Sequence, residues 1–176
     1  GSMNEGRMSA KLGLKGIPSE AEEIDVIRCI LLARRTGGKL HLCHMSTKGS
    51  VDLIRWAKDQ GIAVTAEVCS HHISLTEDAV DGYNTNAKMN PPLRTAADVE
   101  ALQRGVADGT IDVLATDHAP HHYDEKEREF ADAPNGIVGL ETALGVNITY
   151  LVRPGIISLA TLIDRMSCAP ARIFKL

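Results

Sequence analysis

Apolar positions along the chain fall either into short continuous runs or into longer stretches of helical period. Ile24, Ile27, Ile30 and Leu31 recur at three- and four-residue intervals. That spacing predicts a helix with one buried stripe. Ser19 followed by Glu22 has capping-box spacing, so the helix is expected to open at Ser19, and Thr36-Gly37-Gly38 closes it. Lys39–Ser46 predicts a strand, with Leu40, Leu42 and His44 on one face and His41, Cys43 and Met45 on the other. A helix over Val51–Gln60 follows, ended by Gly61, and then a strand over Ile62–Cys69. Adjacent prolines, Pro91 and Pro92, exclude helix or central strand from the next connection. Val99, Leu102 and Val106 mark a helix over Ala96–Asp108, ended by Gly109. The run from Ile111 to His118 predicts a third strand, on which Val113, Ala115 and Asp117 share a face. Helical patterns return over Gly136–Val152 and Ser158–Met166, with a further turn near Pro170–Phe174. Residues 3–18, rich in glycine and without period, read as a loop, and the highly charged stretch Tyr123–Pro134 reads as an exposed one.

Helices alternating with three short strands are the pattern of parallel α/β units. A parallel sheet needs both faces covered, and three strands alone leave apolar surface open. The chain is therefore expected either to associate with copies of itself as a homo-oligomer or to form one piece of a larger sheet or barrel.

Composition narrows the class. A hydrophobic fraction of 44% and a charged fraction of 24% suit a globular protein. A net charge of −4 without a basic cluster argues against a nucleic-acid partner. No apolar run is long enough to span a membrane, and no signal peptide is evident. Gly1-Ser2 resembles the scar of a cleaved tag, leaving residues 3–176 as the natural portion. Cys29, Cys43, Cys69 and Cys168 are widely spaced, each in a predicted helix, strand or buried segment, and read as reduced small apolar residues of a cytoplasmic protein.

Each strand ends in polar residues: His44 and Ser46, then His71 and His72, then Asp117, His118 and His121. The carboxyl ends of parallel strands share one rim, where α/β enzymes carry their chemistry. Imidazole and carboxylate together are the usual donors to catalytic zinc. By position alone His71 and His72 are candidates too. The rigid Asn90-Pro-Pro-Leu-Arg94 loop adds an amide and a guanidinium near the same rim.

The segments Met3-Asn-Glu-Gly6, Leu12-Gly-Leu-Lys-Gly-Ile-Pro18, His41-Leu-Cys-His-Met-Ser-Thr47, Lys88-Met-Asn-Pro-Pro-Leu-Arg94, Ala115-Thr-Asp-His-Ala-Pro-His121 and Gly136-Ile-Val-Gly-Leu-Glu-Thr142 follow one another in an order that resembles the bacterial class I dihydroorotases. These are zinc enzymes of the amidohydrolase superfamily. The resemblance implies a partial (β/α)8 TIM barrel, comprising about its last three βα units. It implies the reversible cyclisation of N-carbamoyl-L-aspartate to dihydroorotate in pyrimidine biosynthesis. His44 resembles a metal ligand, and Asp117 both a metal ligand and the proton-shuttling catalytic residue. Asn90, His121, Asn135 and Gly136 resemble substrate-binding positions, whereas His71 and His72 carry no ligand role in the family. Complete family members hold two Zn2+ ions, and their other ligands lie on strands upstream of those found here. The isolated chain is thus expected to bind zinc weakly and to be inactive without the N-terminal barrel portion. Other readings are a natural non-catalytic half-barrel scaffold and a hydantoinase or allantoinase relative.

Overall fold

The strongest periodic segments become the longest elements of the computed structural model, which describes residues 1–176. They are α2 (Glu20–Thr36), α3 (Lys48–Asp59) and α4 (Ala96–Asp108), alternating with β3 (Leu40–Leu42), β4 (Val64–Cys69) and β5 (Val113–Ala115). The strands form one parallel sheet in the order β3-β4-β5, with Leu40 opposite Val64 and Glu67 opposite Val113. Each crossover is helical, as parallel neighbours require. Thr47 and Thr95 cap α3 and α4 by accepting backbone N–H bonds from Ser50 and Asp98.

One face of the sheet carries the core. Val64, Ala66 and Val68 alternate onto it and pack with Ile30, Val51, Ile54, Leu102, Val106 and Leu114. Each such aliphatic side chain contributes roughly 1.5–3 kcal/mol of burial. Thr65, Glu67 and Cys69 point to the opposite face.

Several expectations are corrected. Ser19 and Glu22 form no capping box: Ser19 already has helical dihedrals (φ −61°, ψ −36°) and its side chain caps nothing. Glu22 instead accepts bonds from the backbone N–H groups of Ser46 (3.0 Å) and Thr47 (3.2 Å) and from Ser50 Oγ (2.7 Å). The tertiary contact satisfies the otherwise unpaired amides at the start of α3, where a carboxylate is favoured. On α2 the buried stripe is Val26, Ile30 and Ala33, while Ile24 and Leu31 lie outside. The helix carries two apolar faces, and this chain covers one of them.

Residues 3–18 are not a loop. They form β1 (Met3–Asn4), α1 (Arg7–Leu12) and β2 (Gly16–Ile17), the strands pairing in parallel. Met3 and Met8 are buried in a second cluster with Val80, Met89, Leu93 and Phe130. Elements of two and six residues are too short to show a period. The Tyr123–Pro134 stretch is not simply exposed either. It contains α5 (Tyr123–Lys126), and Lys126, Phe130 and Ala133 are buried. The segment from Gly136 starts in extended form, with Ile137 bridging His118. Its helix begins only at α6 (Ala143–Asn147) and widens into a π-turn over Ile148–Val152. The last helix runs from α7 (Leu159–Ile163) through a second π-turn into α8 (Ala169–Phe174), beyond its expected end. All four cysteines are free thiols; Cys69 is buried, while Cys43 and Cys168 are exposed. No helix is long and apolar enough to cross a membrane.

Candidate metal centre at the strand ends

β3 delivers His44 to the rim by leaving the strand conformation. His44 adopts a left-handed backbone (φ 59°), which costs energy for a residue with a side chain. It also breaks the two-residue alternation expected from the sequence. Leu42 stays in the core, but the His44 ring turns to the surface occupied by His41 and Glu67. Asp117, just past β5, is left-handed as well (φ 46°). Strain of this kind concentrates at functional sites.

The two turns bring the rings and carboxylates together. His44 Nδ1 lies 2.9 Å from Glu67 Oε1, and its Nε2 faces Asp117 Oδ1 at 3.9 Å. Cys69 Sγ sits 3.2 Å from His44 Nδ1. Hydrogen bonding to Glu67 raises the His44 pKa against the opposing effect of burial, and the Asp117 charge adds to the rise. Burial opposes the charge on Glu67, but the hydrogen bonds from His44 and His41 outweigh it and hold the carboxyl below its usual range. Burial pushes the Cys69 thiol far up, so it stays protonated. One donor atom each from His44, Cys69 and Asp117 lie within 4.8 Å of one another.

His71 and His72, candidates by position alone, are buried in the turn after β4. His72 Nε2–H donates to the Pro91 carbonyl (2.9 Å), and burial pushes the ring down to about 4. Burial lowers His71 too, aided by the neighbouring His72. Both rings are neutral: His72 packs beneath the Asn90–Arg94 loop, and His71 lines a separate cavity with Thr116 and Ile137.

The other expected positions form a second group. His121 Nε2–H donates to the Asn135 carbonyl at 2.9 Å, and its Nδ1 lies 3.3 Å from Glu125 Oε2. Gly136 completes the turn at φ 144°, and a Cβ there would lie 2.6 Å from the Ala119 carbonyl oxygen. Only glycine fits that approach. The loop is held from below by Lys126, whose Nζ donates to the carbonyls of Gly136 (2.7 Å), Pro134 (2.9 Å) and Thr85 (3.1 Å). Lys88 Nζ does the same for Ala133 (2.6 Å) and Ala131 (2.8 Å). Burial lowers the pKa of both ammonium groups. Asn90 is apart from this group. It lines a cleft with Glu22, His41, Cys43 and Arg94, whereas His121 and Gly136 line another.

Sequence reasoning missed Glu67 and His41. The signal was present: a lone carboxylate in the strand Val64–Cys69, two residues from Thr65 on the same face. Buried Glu is rare unless paired.

The Dihydro-orotase-like family matches residues 1–50. A dihydroorotase of Endomicrobium trichonymphae is 56% identical over 176 residues, covering all of this chain and 42% of the relative. One from Geobacter metallireducens is 57% identical over 173 residues, covering 98% of this chain and 41% of the relative. Over its whole length the chain is similar to one part of these dihydroorotases. It spans about two fifths of the length of the curated dihydroorotases it matches. Among solved structures, L-hydantoinase (dihydropyrimidinase) from Arthrobacter aurescens superposes with a TM-score of 0.84 at 32% identity, covering 90% of this chain and 36% of that one. Dihydropyrimidinase from Brevibacillus agri NCHU1002 gives a TM-score of 0.84 at 27% identity, with 89% and 36% covered. The three parallel βα units are thus a sector of the amidohydrolase barrel.

Proposed function

We propose that this chain carries part of a zinc-dependent dihydroorotase active site, acting in the cytoplasm on the interconversion of dihydroorotate and N-carbamoyl-L-aspartate. The observation that supports this most is the presentation of His44 Nε2 to Asp117 by two strained turns on one rim. The donor set fits zinc: one imidazole whose other nitrogen is already engaged, and one ionisable carboxylate. His44 and Asp117 would hold the metal. Zinc, when bound, lowers the pKa of a water to about 7 and so supplies hydroxide at neutral pH.

Asp117 is the group that moves the proton. It accepts the proton released as oxygen bonds to the ring carbonyl carbon, and returns it to the ring nitrogen as the C–N bond breaks. In the direction of ring closure the same carboxylate takes the proton from that nitrogen. Asn90, His121 and the Asn135–Gly136 backbone bind the substrate, and Lys126 and Lys88 hold the segment that presents the last three. Two inherited ligands are fewer than a catalytic zinc normally takes. We assign the remaining ligands to the part of the curated relatives' length that this chain does not span. The uncovered apolar face of α2, with Ile24 and Leu31 exposed, is consistent with association, either with that part or with copies of this chain.

The solved structures named above are hydantoinases and dihydropyrimidinases, which makes a cyclic-amide relative the second reading. The higher identity to dihydroorotases, 56–57% against 27–32%, favours the first. A substrate panel on the chain assembled with the missing barrel segment tests the choice. Dihydroorotate is expected to be opened at least about tenfold faster than hydantoin or dihydrouracil, a difference of about 1.4 kcal/mol in the barrier. Preference for either of the latter would overturn the assignment.

A further inference from the structure

The side of the sheet that faces away from the core carries a file of polar groups leading to His44, and the proposed reaction uses only the last of them. It begins at Thr65, whose hydroxyl lies 2.8 Å from His41 Nδ1. His41 Nε2 then lies 3.2 Å from Glu67 Oε2, and Glu67 Oε1 lies 2.9 Å from His44 Nδ1. The register that sets His41 opposite Thr65 builds the first link. The period of β4 puts Thr65 and Glu67 on one face, and the left-handed turn at His44 brings its ring onto the second carboxylate oxygen.

We propose that Glu67 is a positioning residue that fixes which nitrogen of His44 is presented to Asp117. The inference rests on the reading of His44 as a metal ligand. An ionised carboxylate can only accept, so the His44 nitrogen facing it must carry the proton. Nε2 is then the nitrogen with a free lone pair in the neutral ring, and it is the one aimed at Asp117. Metal-binding histidines gain orientation and basicity from a carboxylate on the far nitrogen. Cys69 Sγ also lies near Nδ1, but a neutral thiol is a weak partner and would not fix the ring. Glu67 is itself fixed. Its side chain is 12% exposed, and each oxygen already has an imidazole partner. His41, braced on Thr65, therefore keeps Glu67 from turning away.

Nitrogen-15 NMR of the imidazole rings in the metal-free chain, at a pH where His44 is neutral, tests this without any turnover. His44 is expected to be almost entirely the Nδ1–H tautomer. Glu67→Met removes the acceptor, and the tautomers are expected to mix. Glu67→Gln keeps the volume and one accepting oxygen, and the Nδ1–H fraction is expected to fall only part of the way. It serves as the readout if the Met variant does not fold. An Nδ1–H fraction equal to wild type in either folded variant would overturn the proposal. In the chain completed by the missing barrel segment, zinc affinity is expected to fall by about 10- to 100-fold in the Gln variant. A tautomer shift in a protein that binds no zinc at all would leave the positioning role intact and remove the metal reading instead.

Discussion

Asp117→Asn is expected to lower the turnover of the assembled enzyme by at least about 100-fold, and by up to about 10,000-fold, in both directions of the reaction. The size follows from the double use of one carboxylate: the amide can neither accept the proton released in ring opening nor return it to nitrogen. Folding should be spared. Asp117 has a left-handed backbone, and Asn tolerates that region better than almost any other residue with a side chain. Its side chain is about one third exposed, so the substitution buries no new unsatisfied group. Steady-state kinetics with dihydroorotate and with N-carbamoyl-L-aspartate, beside thermal unfolding, separate the two effects. A variant that keeps more than about a tenth of wild-type turnover would remove Asp117 from the chemistry.

Arg94→Met is expected to produce the largest loss of stability, about 3–5 kcal/mol, with no direct effect on the reacting groups. Arg94 is 2% exposed. It donates to the Ile17 carbonyl (2.6 Å), Asn4 Oδ1 (2.9 Å) and Ser46 Oγ (3.2 Å). Asn4 in turn donates to Glu77 at 2.7 Å, and Ser46 is bonded to Glu22. One guanidinium thus joins β1, β2, the turn after His44 and the connection that bears Asn90. Methionine fills part of the volume but removes three hydrogen bonds from a charged donor, each worth about 1.5–3 kcal/mol, and leaves the buried Asn4 Oδ1 without a partner, while the Ile17 carbonyl keeps only the Glu5 N–H. Lysine should not rescue the protein, since three separated acceptors need the fork. Urea unfolding measures the loss, and proteolysis should first appear within residues 3–18. A loss below about 1 kcal/mol would show that the network is incidental. Against a typical total of about 5–15 kcal/mol, the expected loss is large.

The arrangement of β3, α3, β4, α4 and β5 was legible from periodicity because each element is long enough, or apolar enough, to show its period. α4 even keeps its expected bounds, since Thr95 caps its start and Gly109, in the left-handed region, ends it. The two-residue strands β1 and β2 were not legible, because they exist only by pairing with each other and by burial against residues 75–93. Glu22 and Lys126 were misread for a shared reason. Their neighbours in sequence suggest local or solvated roles, while the partners of Glu22 lie 24 to 28 residues away and those of Lys126 from 8 to 41 residues away. Of the centre itself, His44 and Asp117 were visible as polar residues ending apolar runs, and the structure places them face to face. What sequence alternation got wrong was the face of His44, since a single left-handed residue is enough to rotate it.

On this proposal the chain holds two ligands of a larger metal centre and needs the rest of the barrel to work. That is tested most directly by measuring bound zinc and dihydroorotase turnover on the chain alone, then again after assembly with the missing barrel segment. Zinc is expected to be weak and substoichiometric and turnover negligible in the chain alone, with tight zinc and turnover both appearing on assembly. Tight stoichiometric zinc with full turnover in the isolated chain, or no turnover after assembly, would contradict the proposal.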